Sequence, residues 1–258
     1  ITPRLLGTTG HRYLGGDLLT LWVFRFLKAK LADMILNLIT TKNLEVPMDN
    51  PLNQVLMDLP EEICENPEFE EAAARYRPGA LLEWTAHPTQ FLRNYTQLNV
   101  KVIDAIVPTR FVNDRSKVSN FFTLWEICEE IKKTLGNPII EHFGTCLGMG
   151  LASKWPEEAE IDSGQLFNLI NMIQPWLVQG GHVTQEDIRM IITQNDMNNV
   201  ISDTIKQSIN LAASLAKARL ITLNRHDRVD RLILSGMSCN MKVIQDVAQE
   251  VFRASDGI

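Results

Sequence analysis

Leu232-Ile233-Leu234-Ser235-Gly236-Met237-Ser238 is a short apolar run that breaks at a glycine, and a helical pattern over about 240–253 follows it. The run predicts a strand over 231–234, a turn at Gly236 and then a helix. That order puts any ligand at the carboxyl end of a sheet, where backbone bare of a side chain lets it approach. Near the other end of the chain, Gly10-His11-Arg12-Tyr13-Leu14-Gly15-Gly16-Asp17 has the same character. Residues 3–8 read as the end of a strand, the glycines as a turn able to cradle an anion, and 17–38 as a helix with Asp17 at its N-cap. The helix is apolar on nearly every side, as in a helix buried between layers. Two ends of this kind are most economically one α/β layer split by an insertion.

Between those ends, Phe121, Leu124, Cys128, Ile131 and Leu135 recur at steps of three and four. They predict a helix over 115–135 that Gly136-Asn137-Pro138 ends. Glu129 and Lys132 lie three apart on it. A carboxylate accepts from hydroxyls and an ammonium donates, so the pair suits a sugar edge. The same spacing also suits a plain helix ion pair worth about 0.2–0.5 kcal/mol. From 40 to 88, Pro47, Pro51, Pro60, Pro67 and Pro78 predict short helical pieces and loops. The β-rich stretch 98–111 predicts one or two strands of a small sheet. The glycines of 139–151 favour a loop or a short helix. Helices are expected over 163–178, capped by Asp162 or Ser163, over 184–192, capped by Thr184 with Asp187 three residues on, and over 197–221.

Composition narrows the function classes. The 258 residues are 45% hydrophobic and 22% charged, with a net charge of −6, which suits a globular chain and argues against a phosphate-binding nucleic-acid surface. The acidic stretch 61–71 reads as a solvated face. Residues 18–39 are apolar enough to raise the question of a membrane span. Arg25, Lys28, Lys30 and Asp33 in their middle argue against one, at about 2.5–3.5 kcal/mol each in a bilayer centre. Cys64, Cys128, Cys146 and Cys239 make no C-x-x-C pair, and His142 with Cys146 has no second ligand pair, so no metal is expected. The opening at Ile1, without Met, reads as an excised piece of a longer protein, and the cysteine usage fits a reducing, cytoplasmic interior. No G-x-S-x-G, Walker or G-x-G-x-x-G signature is present. The tryptophans read as core residues, with Trp84 and Trp155 in loop-like contexts that could mark a partner surface.

Taken in order, the three segments resemble the second lobe of the Hsp70/actin-type ATPases. There a Leu-Gly-Gly turn, a Glu-x-x-Lys-x-x-Leu helix and a Gly-Gly-Ser turn enclose the adenosine of ATP. The resemblance implies an α/β, helix-rich actin-like ATPase lobe. A IIA-like subdomain would span 1–40 and 196–258, and an inserted IIB-like, mainly helical subdomain with a small sheet would span 41–195. It implies cofactor-binding roles for Gly15, Gly16, Glu129, Lys132, Gly236, Met237, Ser238 and Asn240, with ATP or ADP and Mg in the complete parent. Met237 departs from the pattern by replacing a second glycine, Asn240 stands where the chaperones stack an Arg on the base, and Gly136 often has Ser as its counterpart. The Asp-x-Gly-x-Thr hairpins that hold phosphate in this family are not found, so no turnover is expected of this chain alone. The implied partners are the remaining lobe and a protein bound by the insertion. The C-terminal turn also resembles the bacterial SrfB virulence-factor family, whose large chains contain such lobes. Two other readings stay open: an actin-like interaction module that lost nucleotide, and a helical adaptor unrelated to ATPases. The ATPase reading requires Gly16, Lys132 and Ser238 to meet at one cleft.

Overall fold

The computed structural model of the chain describes residues 16–57, 59, 76–85, 102–110, 114–145, 148–222, 234 and 237–254. In chain order these form α1 (Gly16–Thr41), α2 (Pro51–Met57), α3 (Ala80–Thr85), the single turn α4 (Asp104–Ile106), α5 (Arg115–Gly136), β1 (Ile139–Thr145), β2 (Gly148–Lys154), β3 (Glu158–Glu160), α6 (Ser163–Ile173), α7 (Pro175–Gln179), β4 (Ile191–Thr193), α8 (Gln194–Thr222) and α9 (Lys242–Ala254). Turns of 3-10 helix lie at Gln185–Asp187 and Met237–Asn240. The described chain is helix-rich, and its strands pair antiparallel, β1 with β2 (Ile139 opposite Lys154) and β3 with β4 (Glu158 opposite Thr193).

The helix α1 organises the packing. Val23, Leu27, Ala29, Leu31, Ala32, Ile35, Leu36 and Ile39 are all almost fully buried, and with buried Leu19 and Phe26 they reach every side of the helix. It packs against α3, α5 and α8. Its interior charges are paired rather than solvated: Lys28 meets Asp104 at 2.5 Å, and Lys30 donates to the Ile191 carbonyl at 2.7 Å. Lys42, the residue after α1 ends, reaches Asp187 at 2.7 Å. Asp33 accepts from the Tyr76 hydroxyl and from the Gly79 amide at 2.9 Å, holding the start of α3. Among the described residues no helix is long and apolar enough to cross a membrane. The buried apolar residues form one continuous cluster from Leu19 on α1 to Val251 on α9.

Several elements differ from the sequence expectations. Asp17 lies inside the first turn of α1, because Gly16 is already helical, so it complements the helix end without being its cap. Over 102–110 the backbone is helical and then irregular, not strand. Val102, Ile103, Ile106 and Val107 are buried at one- and three-residue steps, which a single helical turn satisfies as well as a strand does. Residues 139–145 and 148–154 form the antiparallel β1–β2 pair in place of a loop or helix. The expected helix over 163–178 is broken at Gln174, whose φ of −138° and ψ of 68° follow from Pro175 disfavouring helix in the residue before it. Asp162 does cap α6, accepting from the Gln165 amide at 2.8 Å. Over 184–192, Thr184 and Asp187 form the capping box, yet only one 3-10 turn follows. The β-branched Ile191-Ile192-Thr193 instead pairs with β3. Of the expected strands over 3–8 and 231–234, only Leu234 is among the described residues, and it has no regular structure.

Candidate functional site

The site is set by how α1 and α5 lie together. Phe24 on α1 packs on Phe121 and Trp125 of α5, with ring centroids 5.0 and 6.0 Å apart. One turn toward the start of α1 lies Thr20, and one turn further along α5 lies Glu129. The helices therefore run antiparallel, and the first turn of α1 is brought to the last turns of α5. Thr20, fully buried, shares a hydrogen bond with Glu129 Oε1. Lys132 Nζ donates to Glu129 Oε1 and to Thr20 Oγ1, each at 2.5 Å, and to the Gly16 carbonyl at 3.3 Å.

Protons can be assigned within this cluster. An ammonium has three donors, and three acceptors surround Lys132, so its hydrogen-bonding capacity is filled within the protein. Thr20 has one proton, with Glu129 Oε1 and the Gly16 carbonyl (3.0 Å) as acceptors. The charged carboxylate is the stronger acceptor, and Lys132 already serves the carbonyl. The hydrogen bonds from Thr20 and Lys132 both fall on Glu129 Oε1 and neither on Oε2. Burial pushes the Glu129 carboxyl up, but the bonds from Lys132 and Thr20, with the charges of Lys132 and Lys133, outweigh it and hold it below its ordinary value. The Cys128 thiol beside it is raised by burial, then by Glu129, which suits a packed, unreactive sulfur.

The C-terminal segment arrives at the same place. Ser238 lies in the Met237–Asn240 turn, and a Cβ built on Gly16 would sit 3.7 Å from its Oγ. Met241 just after the turn lies against Gly136 at the end of α5, 3.0 Å from where a Cβ would be. The Asn240 carbonyl accepts from the Trp155 indole at 2.8 Å, so Trp155 tethers this turn to the end of the β1–β2 hairpin. Gln194 adds a clasp, donating to the carbonyls of Leu135 at 2.6 Å and Pro156 at 3.0 Å.

Of the residues singled out from the sequence, Gly16, Glu129, Lys132 and Ser238 come together, and Asn240 lies two residues further along the Ser238 turn with its side chain exposed. Gly15 and Gly236 lie outside the described residues, as does the side chain of Met237. The His142 side chain and Cys146 do too. Among the described residues no group of three His, Cys, Asp or Glu could hold a metal. Sequence reasoning missed Thr20. A threonine inside a buried apolar helix carries no motif, and its only signal is its place four residues after Gly16, one helical turn along the same face.

A separate cleft of about 570 Å³ opens between α2, α4 and α7, lined by Asp49, Asp104, Lys117, Gln174 and Trp176 among others. Asp104 is paired with Lys28, Lys117 lies 3.7 Å from Asp114, and Gln174 bonds Trp176 and the Ile106 carbonyl. No family model, curated protein or solved structure matches the chain.

Proposed function

We propose that the chain is the second lobe of an actin- or Hsp70-like ATPase and carries the adenosine-facing half of its nucleotide site. The observation that supports this reading is the meeting of Gly16, Glu129, Lys132 and Ser238, which come from three segments far apart in sequence. The residues fit a nucleoside. Gly16 offers backbone without a side chain at a helix start, the Glu129 carboxylate is an acceptor suited to a sugar hydroxyl, and Ser238 supplies a hydroxyl beside Gly16. In a complete parent protein, with the remaining lobe and ATP–Mg, this half binds and orients the nucleoside, and the chemistry of the phosphates belongs to the other lobe. The division into a 1–40 plus 196–258 subdomain and an inserted 41–195 subdomain, the cytoplasmic setting and the SrfB-like origin belong to the same proposal.

Titration calorimetry of ATP and ADP on the full-length parent tests it. Saturable binding, weakened about tenfold or more by Glu129→Ala, is the expected result, one charged hydrogen bond being worth ~1.5–3 kcal/mol. A second reading draws on a specific observation: all three donors of Lys132 are engaged inside the protein. With Met237 and Asn240 in place of the family's residues, that favours an actin-like scaffold that binds a protein and no nucleotide. An intact, folded parent giving no heat with ATP or ADP would decide for the scaffold.

A further inference from the structure

We propose that Thr20 is the positioning residue of this site: its hydroxyl sets the Glu129 carboxylate and holds Lys132 behind it, so that Glu129 Oε2 is the atom left to face a ligand. The inference rests on the nucleotide reading for what the ligand is, but the arrangement itself rests on geometry. Thr20 is fully buried and cannot touch a ligand. It nevertheless bonds both members of the ion pair, on the same carboxylate oxygen that Lys132 uses. With both donors on Oε1, the carboxylate is held through that oxygen, and Oε2 takes neither bond. Lys132 shows why the hydroxyl is needed. Its side chain is only 14% exposed, and without the Thr20 hydroxyl it would keep two of its three acceptors within the protein. The charged groups around the carboxylate are Lys132 and Lys133 on α5, while Thr20 is the neutral donor from α1.

A purely structural Thr20 would affect stability alone, so the test reads the carboxylate directly. Carbon-13 NMR of labelled glutamate follows the Glu129 titration in wild type, Thr20→Val and Thr20→Ser, assigned through Glu129→Gln. Thr20→Val keeps the shape and removes the donor, so the Glu129 midpoint should move up. Thr20→Ser should return it toward wild type. In calorimetry of the parent protein, ATP binding should weaken about tenfold in the valine variant and recover in the serine variant. A valine variant that melts cooperatively with an unmoved Glu129 midpoint overturns the positioning role. A moved midpoint in a parent protein whose wild type binds no ATP upholds the positioning of Glu129 and overturns the nucleotide reading instead.

Discussion

Lys28 is 1% exposed on α1, and burial pulls its ammonium down to about 8 from the ordinary lysine value of 10.5, the bond and charge of Asp104 only partly restoring it. The folded state therefore gives up this proton at lower pH than the unfolded chain does. Stability contributed by Lys28 is then absent below pH 8 and grows as pH rises from 8 toward 10.5. Between pH 8 and 9 the gain is about 1 kcal/mol, and Lys28→Met should lack it in urea unfolding series. Cys128 and Tyr76 act in the opposite sense. Burial raises both, so the unfolded chain ionises first and stability is lost as pH climbs past 9 and 10. At this scale the sequence was half legible. Arg25, Lys28, Lys30 and Asp33 were enough to argue against a bilayer for the 18–39 stretch, but which carboxylate answers Lys28 depends on a turn, at Asp104, that β-rich composition disguised as strand. Glu129 and Lys132 were legible as a pair because their spacing is helical. Thr20, their third member, was not, since it is 109 residues away from Glu129 in the chain.

Helices with a clean apolar stripe were read from the sequence nearly to their ends: α5 (Arg115–Gly136) carries Leu124, Cys128, Ile131 and Leu135 inward, and α8 (Gln194–Thr222) carries Ile201 and Ile205. The strands were not. Residues 139–154 hold glycines at 144, 148 and 150 and lack a clear alternation, so only pairing across the hairpin makes them strands. At the α6–α7 break, one side chain ties the elements together. Gln174 is 4% exposed and donates to the Ile106 carbonyl at 2.9 Å while accepting from the Trp176 indole at 3.0 Å and from Asn50 at 3.3 Å. Truncating it leaves a buried carbonyl and a partly buried indole donor unanswered. Gln174→Ala should therefore cost about 2–4 kcal/mol in denaturant unfolding, whereas an exposed glutamine on α6 such as Gln165 should cost under about 0.5 kcal/mol.

Among the described residues of the whole molecule, α1 holds more buried side chains than any other helix. Leu31 of α1 is 0% exposed, whereas Leu211 in the second half of α8 is 46% exposed. Leu31→Ala should destabilise by about 2–5 kcal/mol, and Leu211→Ala by no more than about 0.5 kcal/mol. Hydrogen exchange should follow the same order, with amides of α1 opening only on global unfolding and those near Ile221, 66% exposed, exchanging first. A cylinder that is greasy all the way round can spin in its socket without losing much oil-like contact, since apolar burial has no direction. What gives α1 a single azimuth is its few directional atoms: Thr20 toward Glu129, Lys28 toward Asp104, Lys30 toward the Ile191 carbonyl and Asp33 toward Tyr76. Replacing all four by well-packed apolar residues would leave the socket filled but the dial unset, and the first turn of the helix would no longer have a defined face to offer.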